Sequence, residues 1–228
     1  MTEFVVSPSP RVALPVVGSA ALFPVRRVYC VGRNYAAHAV EMGHDPDREP
    51  PFFFQKNPDD LDPSGRFAYP PMTADVHHEI ELAVALRSGG RDIAARDALA
   101  HVWGYGVALD MTRRDLQGEA KKLGRPWEVG KAFEGSAPVS PLISAEAVGH
   151  PERGAVTLHV NGELRQQGDL DQMIWKTPEI IAELSRFFRL AAGDVILTGT
   201  PAGVGPVARG DVLEGAVEGV GALRVEVV

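Results

Sequence analysis

Residues 79–86 read EIELAVAL, and this stretch decides the fold that we expect for the chain. Polar and apolar residues alternate over its first four positions, and the remaining positions are all apolar. Alternation with a period of two is typical of a half-buried strand, whereas a continuous apolar run is typical of a strand buried on both faces. The stretch therefore predicts a strand that begins at a polar edge and runs into the core.

Further strands are predicted on both sides of this one, from runs rich in β-branched and aromatic residues. Asn161-Gly162 follows one of them and is a strong signal for a hairpin turn. Strands outnumber helices and do not alternate regularly with them, which argues against a doubly wound parallel sheet and for a β-rich α+β fold. The other predicted strands are residues 27–31, 51–56, 102–110, 156–160, 194–197, 212–217 and 223–228.

Three segments are expected to be helical. The clearest covers residues 177–190, where Thr177 is placed as the cap, Pro178 as the first helical residue, and Ile180, Ile181, Leu184, Phe187 and Phe188 form one apolar stripe. Asn34 is placed as the cap of a short helix that runs to Gly43. A polar helix is predicted within residues 112–123. The polar, proline-containing segment 44–51 is predicted to be a mobile loop that could close over a site.

The length of 228 residues suits one domain with a short extension. Prolines at positions 8, 10, 15 and 24 argue against a helix in residues 1–24, so this segment is predicted to be a lead-in that forms an edge strand or an arm. Residues 25–228 are then expected to form a single domain that carries the activity.

Charge and composition exclude several classes of protein. The formal net charge is -7, which makes nucleic acid and anionic membranes poor partners, because both require a basic surface. No apolar run is long enough to span a bilayer, and the N-terminus lacks the pattern of a secretory signal. The single cysteine, Cys30, sits in an apolar strand, which indicates a core residue and fits a reducing cytoplasm.

Glu79 and Glu81 form the most informative pair, because residues two apart on a strand point to the same face. With Asp110, which ends another predicted strand, they would offer the oxygen ligands that Mg²⁺ or Mn²⁺ prefers. Two alternatives stay open on spacing alone: the two glutamates could be exposed at a strand edge, or they could join His77 in a zinc or iron site. A glycosidase pair is rejected, because a single strand rarely supplies both partners and aromatic residues are sparse at 7%.

Candidates for acid–base chemistry and for anion binding lie on either side of this strand. His38 and Glu41 are three apart and would share a helix face, which is an arrangement that can activate a water molecule or a simple exposed pair. Residues 113–131 contain six basic side chains, of which some could hold a substrate carboxylate, an arginine doing so bidentately, and most would be solvated. The glycine-rich segment 198–205 lacks the ending of a phosphate loop and is interpreted as a tight turn at the active site.

Six segments in the same order resemble the fumarylacetoacetate hydrolase family. They are YCVGRNYAAHAVEMG (29–43), HHEIELAV (77–84), GYGVALDMTRRDLQ (104–117), KAF (131–133), VNG (160–162) and GDVILTGTPAGVG (193–205). The resemblance runs from about residue 27 to the C-terminus. It implies a mixed β-sandwich roll, usually assembled as a homodimer, and it favours the Mg²⁺ or Mn²⁺ site over the alternatives above.

The resemblance also implies roles for individual residues. Glu79, Glu81 and Asp110 would bind the metal, and His38 with Glu41 would activate water. Lys131 would act beside the metal, and Arg114, Gln117 and Thr200 would contact the substrate. That substrate would be a small dicarbonyl acid.

The implied activity is metal-dependent hydrolysis of a carbon–carbon bond in a 2,4-dioxo acid. The segments FPVRRVYCVGRNYAAHA and PFFFQK point most closely to members that cleave fumarylpyruvate in aromatic catabolism. Acylpyruvate hydrolysis, oxaloacetate decarboxylation and 2-oxo acid isomerisation could use the same site, since fold alone does not settle the reaction. A non-catalytic module that binds metal or ligand is a rival of another class.

Overall fold

The computed structural model describes residues 4–36 and 49–228. Within those residues the strands β1 to β18 are Ala13–Val16, Ser19–Pro24, Arg27–Gly32, Phe52–Lys56, Leu61–Asp62, Arg66–Phe67, Val76–His78, Ile80–Leu86, Val102–Leu109, Thr112–Arg113, Ala137–Pro138, Ile143–Ser144, Ala155–Val160, Glu163–Asp169, Asp194–Leu197, Gly205–Pro206, Val212–Val217 and Gly221–Val227. The helices α1 to α5 are Ala95–Ala98, Arg114–Leu123, Glu128–Lys131, Ala145–Val148 and Thr177–Phe187. Short 3-10 turns cover Pro58–Asp60, Leu99–His101 and Leu170–Gln172.

A six-stranded sheet forms the centre of the molecule, in the order β12-β9-β8-β15-β3-β4. β15 and β3 run parallel, and the other neighbours are antiparallel. Every residue of β8 is buried, because both faces of this sheet are covered. This explains why the stretch that opens with alternation becomes continuously apolar, and it confirms the expected β-rich α+β fold.

The two faces of β8 belong to two different cores. Ile80, Leu82 and Val84 point into the core shared with the five-stranded sheet β14-β13-β17-β18-β6. Ala83 and Ala85 point into a second core on the opposite face. Because successive side chains of a strand point to opposite faces, Glu81, which lies between Ile80 and Leu82, shares the face of Ala83 and Ala85. It therefore lies at the end of the second core.

The N-terminal hairpin β1–β2 covers the second core. Leu14 and Phe23 are buried there, and Leu142 exchanges backbone hydrogen bonds of 2.8 and 2.9 Å with Pro15 and Val17. Residues 13–24 therefore pack on the central sheet as a pair of strands.

Most predicted elements lie within a few residues of the observed ones, and the differences are local. Asn161 and Gly162 both have positive φ angles, of 53° and 80°, as a tight hairpin between β13 and β14 requires. Helix α5 has Lys176 as its N-cap and ends at Phe187, so the predictions of Thr177 as cap and of a helix to residue 190 are wrong. Phe187 is exposed and does not belong to the buried stripe.

Two predictions fall partly outside the described residues. The helix expected from Asn34 to Gly43 includes His38 and Glu41, and most of the loop 44–51 lies outside as well. The Asn34 side chain donates to the carbonyl oxygens of Trp175 and Thr198, at 2.9 and 2.8 Å, and accepts from the Trp175 amide at 2.7 Å. In the described ranges, no helix is both long and apolar enough to cross a membrane.

Candidate active site

A buried acidic triad lies where β8 begins and β9 ends. Glu81 belongs to β8 and pairs with Ala108 of β9, and the Asp110 amide donates to the Glu79 carbonyl at 2.8 Å. This antiparallel register brings the carboxylate oxygens of Glu79, Glu81 and Asp110 within 4.8 Å of one another. All three side chains are buried, so the alternative that the glutamates are exposed at a strand edge is wrong.

The triad has the properties of a site for a hard divalent cation. Three carboxylates crowded together away from water repel one another unless positive charge lies among them. Burial, together with Asp110 and Glu79, raises the pKa of Glu81 well above its ordinary value. Asp110 Oδ1 is buried and makes no hydrogen bond of normal geometry among the described residues, although the Lys56 ammonium lies 2.9 Å away. An all-oxygen donor set of this kind suits Mg²⁺ or Mn²⁺.

Lys131 supplies positive charge at the centre of the triad. Its ammonium donates to Glu79 Oε2 at 2.8 Å, to Asp110 Oδ2 at 2.6 Å and to Thr112 Oγ1 at 2.7 Å. Burial alone would lower the Lys131 pKa, but Asp110 and Glu79 outweigh it and raise the pKa above the ordinary value. In the metal-free protein these two carboxylates therefore favour the protonated form of Lys131.

Lys56 is a second buried lysine that the sequence analysis did not identify. It ends β4, its Nζ lies 2.9 Å from Asp110 Oδ1, and it donates to Ser136 Oγ at 2.9 Å and to the Lys131 carbonyl oxygen. Its side chain is completely buried. The signal in the sequence was a lysine close to the aromatic run Phe52–Phe54 of a predicted strand, because a buried strand rarely holds an unpaired charge.

Helix α2 presents Arg114 and Gln117 to the triad. The Arg114 guanidinium contacts Glu79 Oε1 through Nη2 and donates to Gln117 Oε1 through Nη1 at 2.7 Å. Its Nε is buried and has no hydrogen-bond partner among the described residues. A buried N–H without a partner is costly, so the hydrogen bonding of the Arg114 guanidinium is incomplete in the ligand-free protein.

The turn after β15 places Thr200 on the opposite wall. The Gly199 amide donates to Glu81 Oε2 at 2.6 Å, and Gly199 has a φ of 94°, which favours glycine. Thr200 Oγ1 accepts a hydrogen bond from Gln166 Nε2 at 2.8 Å. A hydroxyl can also donate one hydrogen bond, and no acceptor for the Thr200 proton is found among the described residues.

Gln166 connects this turn to the start of β8 and was also missed. It is fully buried in β14, and its Oε1 accepts from the Ile80 amide at 3.1 Å and lies 2.9 Å from His78 Nδ1. One amide side chain therefore joins the strand that carries Glu81 to the loop that carries Thr200. No sequence signal distinguishes Gln166 from its neighbour Gln167.

The histidine alternative for the metal is not supported. His77 lies in the separate strand β7, and its Nε2 is 2.9 Å from Asp75 Oδ1. Burial lowers the pKa of both His77 and His78, and Arg114 lowers that of His77 further. Among the described residues, the group of side chains close enough to share an ion is Glu79, Glu81 and Asp110 alone.

One cleft brings these side chains together. It encloses about 430 Å³ of empty space, part of it open to solvent. Seven of the nine predicted site residues line it, and His38 and Glu41 lie outside the described residues. The seven are Glu79, Glu81, Asp110, Arg114, Gln117, Lys131 and Thr200, and the aromatic side chains of Phe52, Phe54 and Trp127 complete the wall.

Comparisons with known proteins agree with this geometry. The sequence model described as fumarylacetoacetate (FAA) hydrolase C-terminal matches residues 27–228. Oxaloacetate tautomerase YcgM of Escherichia coli is 46% identical over 89% of this chain and 93% of its own length. The mitochondrial oxaloacetate tautomerase FAHD1 of Bos taurus is 40% identical, over 89% and 91% of the two chains.

A solved structure matches over almost the whole chain. The crystal structure of fumarylpyruvate hydrolase from Pseudomonas aeruginosa in complex with Mn²⁺ and pyruvate is 54% identical and superposes with a TM-score of 0.97, covering 99% of both chains. The sequence match, the shared fold and the buried triad lead to one conclusion: this chain belongs to the fumarylacetoacetate hydrolase family.

Proposed function

We propose that this protein hydrolyses a carbon–carbon bond in a 2,4-dioxo acid and that fumarylpyruvate is the substrate, giving fumarate and pyruvate. One observation carries the proposal. A buried triad able to hold a divalent cation lies in the same cleft as the Lys131 ammonium and the unpartnered Nε of Arg114. The similar enzyme from Pseudomonas aeruginosa holds Mn²⁺ and pyruvate, and pyruvate is one of the products expected here.

The metal and the side chains around it would have separate roles in catalysis. A divalent metal held by Glu79, Glu81 and Asp110 would supply Lewis-acid polarisation of substrate oxygens. Arg114 would hold the carboxylate next to the 2-oxo group, oriented by its hydrogen bond to Gln117. Thr200 would donate its hydroxyl proton to a substrate oxygen. These contacts would place the carbonyl that is attacked in a fixed position beside Lys131.

The bond-breaking step needs a base and a place for negative charge. His38, oriented by Glu41, would take a proton from a water molecule whose oxygen attacks the carbonyl at C4. The bond between C3 and C4 then breaks, the electron pair stays on the three-carbon fragment as an enolate, and C4 becomes the new carboxyl group of fumarate. The Lys131 ammonium would stabilise the enolate charge, and protonation at C3 gives pyruvate.

Replacing His38 with alanine is expected to lower kcat by about 10²- to 10⁴-fold, because the attacking water loses its base. Mn²⁺ affinity should stay the same, since the proposed ligands are at the start of β8 and directly after β9. Stopped-flow turnover together with calorimetric Mn²⁺ titration checks both halves of this expectation. A variant with an unchanged kcat would remove His38 from the mechanism.

A second candidate is keto–enol tautomerisation of oxaloacetate, which is favoured by the names of two relatives that are 46% and 40% identical. Tautomerisation moves a proton between C3 and the 2-oxo oxygen and consumes no water. It would use the same carboxylate contacts and the same stabilisation of an enolate by Lys131. Only hydrolysis requires a nucleophilic water beside the substrate, and this difference can be measured.

The test follows the ultraviolet absorbance of enolised fumarylpyruvate in the presence of Mn²⁺, then with a chelator, in water enriched in ¹⁸O. We expect chelator-sensitive loss of absorbance and one ¹⁸O atom in a carboxyl group of fumarate. Slow loss without fumarate, combined with fast conversion of enol to keto oxaloacetate, would instead establish the tautomerase. Consumption of neither substrate would overturn both proposals.

A further inference from the structure

Two cations line the cleft and take no part in the triad. Arg33 follows β3, and its guanidinium carbon lies 5.3 Å from the centroid of the Phe52 ring. Lys121 is on α2, and its ammonium lies 4.9 Å from the centroid of Trp127. The two rings contact each other edge to face at 5.4 Å, so the four side chains form a continuous row. We refer to Arg33 and Lys121 as the distal cations.

The distal cations differ from the other positive groups of the cleft. Lys131, Lys56 and Arg114 each lie against a carboxylate of the triad. In the part of the chain that the structure describes, no ion pair joins Arg33 or Lys121 to a carboxylate, although the protein is acidic overall. Their positive charge is therefore available to a ligand in the cleft.

Desolvation makes this free charge costly. Burial lowers the pKa of Lys121 to about 8, with further lowering by Arg114, Arg33 and Lys131, and Glu79 acts in the opposite direction. A cation that is partly buried and repelled by neighbouring cations destabilises the free protein. An anion bound between the two groups would remove that cost, and an anion is the natural ligand for such a pair.

The backbone at Arg33 is specialised for its position. Arg33 has a φ of 56°, in the left-handed region that a long side chain rarely adopts. The preceding residue is Gly32, where a Cβ would lie 2.0 Å from Phe52 Cζ. The backbone of Arg33 is therefore strained, and the Phe52 ring leaves no room for a side chain at Gly32. The same ring lies beneath the Arg33 guanidinium. Strain of this kind is concentrated at ligand sites.

We infer that Arg33 and Lys121 form a second anion subsite that receives the far carboxylate of a dianionic substrate, so that the enzyme selects dicarboxylic dioxo acids over acylpyruvates with an uncharged end. This inference rests on the proposed function. The first carboxylate would be held at the triad end by Arg114, and the far carboxylate would lie against the row of aromatic rings. Fumarylpyruvate has a carboxylate at each end, whereas acetylpyruvate has one.

The experiment compares kcat/KM for fumarylpyruvate and acetylpyruvate in the wild type and in Lys121→Met. Loss of one charged contact to a carboxylate should reduce the preference for fumarylpyruvate by about 10- to 100-fold. Arg33→Met should reduce the ratio in the same direction, and Lys121→Arg should restore most of it. The matched control is Lys122→Met, because Lys122 is the next residue on the same helix and is exposed away from the cleft.

A pH profile separates this role from a structural one. Lys121 loses its proton as the pH rises through about 8, so KM for fumarylpyruvate should increase above that pH in the wild type. The charged groups that face Lys121 are Arg33, Arg114, Lys131 and Glu79. In Lys121→Met this rise in KM should be absent. A rise of the same size in the variant would mean that another group is responsible, and it would overturn the assignment.

Binding of products provides a test that does not depend on turnover. Fumarate has two carboxylates and crotonate has one, with the same carbon skeleton. Calorimetry on the Mn²⁺-loaded protein should show that Lys121→Met weakens fumarate binding about 10-fold or more relative to crotonate. If the wild type turns over neither dioxo acid, the proposed function fails, but this comparison still tests the subsite. An equal effect on both ligands, or none, would overturn the inference.

Discussion

Replacing Asp110 with asparagine is expected to reduce turnover by on the order of 10³-fold or more, because the variant loses one of the three charged ligands proposed for the metal. The same change should lower the free energy of unfolding of the metal-free protein by about 3–5 kcal/mol. Asp110 Oδ2 lies 2.6 Å from Lys131 Nζ, and Oδ1 lies 2.9 Å from Lys56 Nζ. Asparagine has the same shape but no charge, so two buried ammonium groups lose their shared partner.

Urea unfolding with and without Mn²⁺ measures both effects. In the wild type, Mn²⁺ at 100 times its dissociation constant should add about 2.7 kcal/mol, and in Asp110→Asn this gain should disappear. Asp97→Asn is the control, since its ion pair with Arg96 is exposed and contributes little. An Asp110→Asn protein that unfolds at the wild-type urea concentration would show that the buried lysines do not depend on this carboxylate.

The strands of the centre of the fold were predictable because their signals are local. β8 and β9 are long apolar runs, and the hairpin after β13 is specified by Asn161-Gly162. The pairing between strands, in contrast, does not follow from local signals. Asp110 meets Glu79 because β8 and β9 are adjacent and in one particular register, and that register depends on the packing of both faces of the sheet.

Residues whose role depends on burial were the ones that sequence reasoning missed. Lys56 lies opposite Val28 on a strand at the edge of the six-stranded sheet, and its charge is tolerated only because Asp110 reaches it from β9. Gln166 is one of several polar residues in β14, and it is the one residue of this strand that is fully buried. Nothing in either local sequence identifies the partner that makes such a residue important.

In the cleft, there is a physical reason why some site residues could be predicted from the sequence and others could not. Two of its three carboxylates, Glu79 and Glu81, are spaced two residues apart at the start of one strand, and a sequence displays this pattern directly. The cations that line the cleft come from α2, α3 and the residue after β3, and the role of each depends on the groups that it faces. Lys121 and Lys122 are adjacent residues of the same type, yet Lys121 lies over Trp127 in the cleft whereas Lys122 is exposed.

Replacing Lys131 with methionine is expected to lower kcat by about 10²- to 10³-fold, because the positive charge that would stabilise the enolate is removed. Metal binding should respond in the opposite way. In the metal-free protein the Lys131 ammonium donates to Glu79 and Asp110, and these carboxylates are the proposed metal ligands. Without the competing ammonium, Mn²⁺ should bind with equal or higher affinity. A lower kcat with intact metal binding would separate Lys131 from the ligands.

Lys131→Arg is the matched variant, since it keeps the charge and changes the geometry. We expect it to recover part of the lost kcat, because a guanidinium can still lie near the enolate oxygen. The metal-free Lys131→Met protein should unfold more easily than the wild type, since three buried carboxylates then share fewer counterions, and Mn²⁺ should restore most of the difference. If methionine instead abolished Mn²⁺ binding, Lys131 would be required to build the metal site, and its proposed part in stabilising the enolate would lose its support.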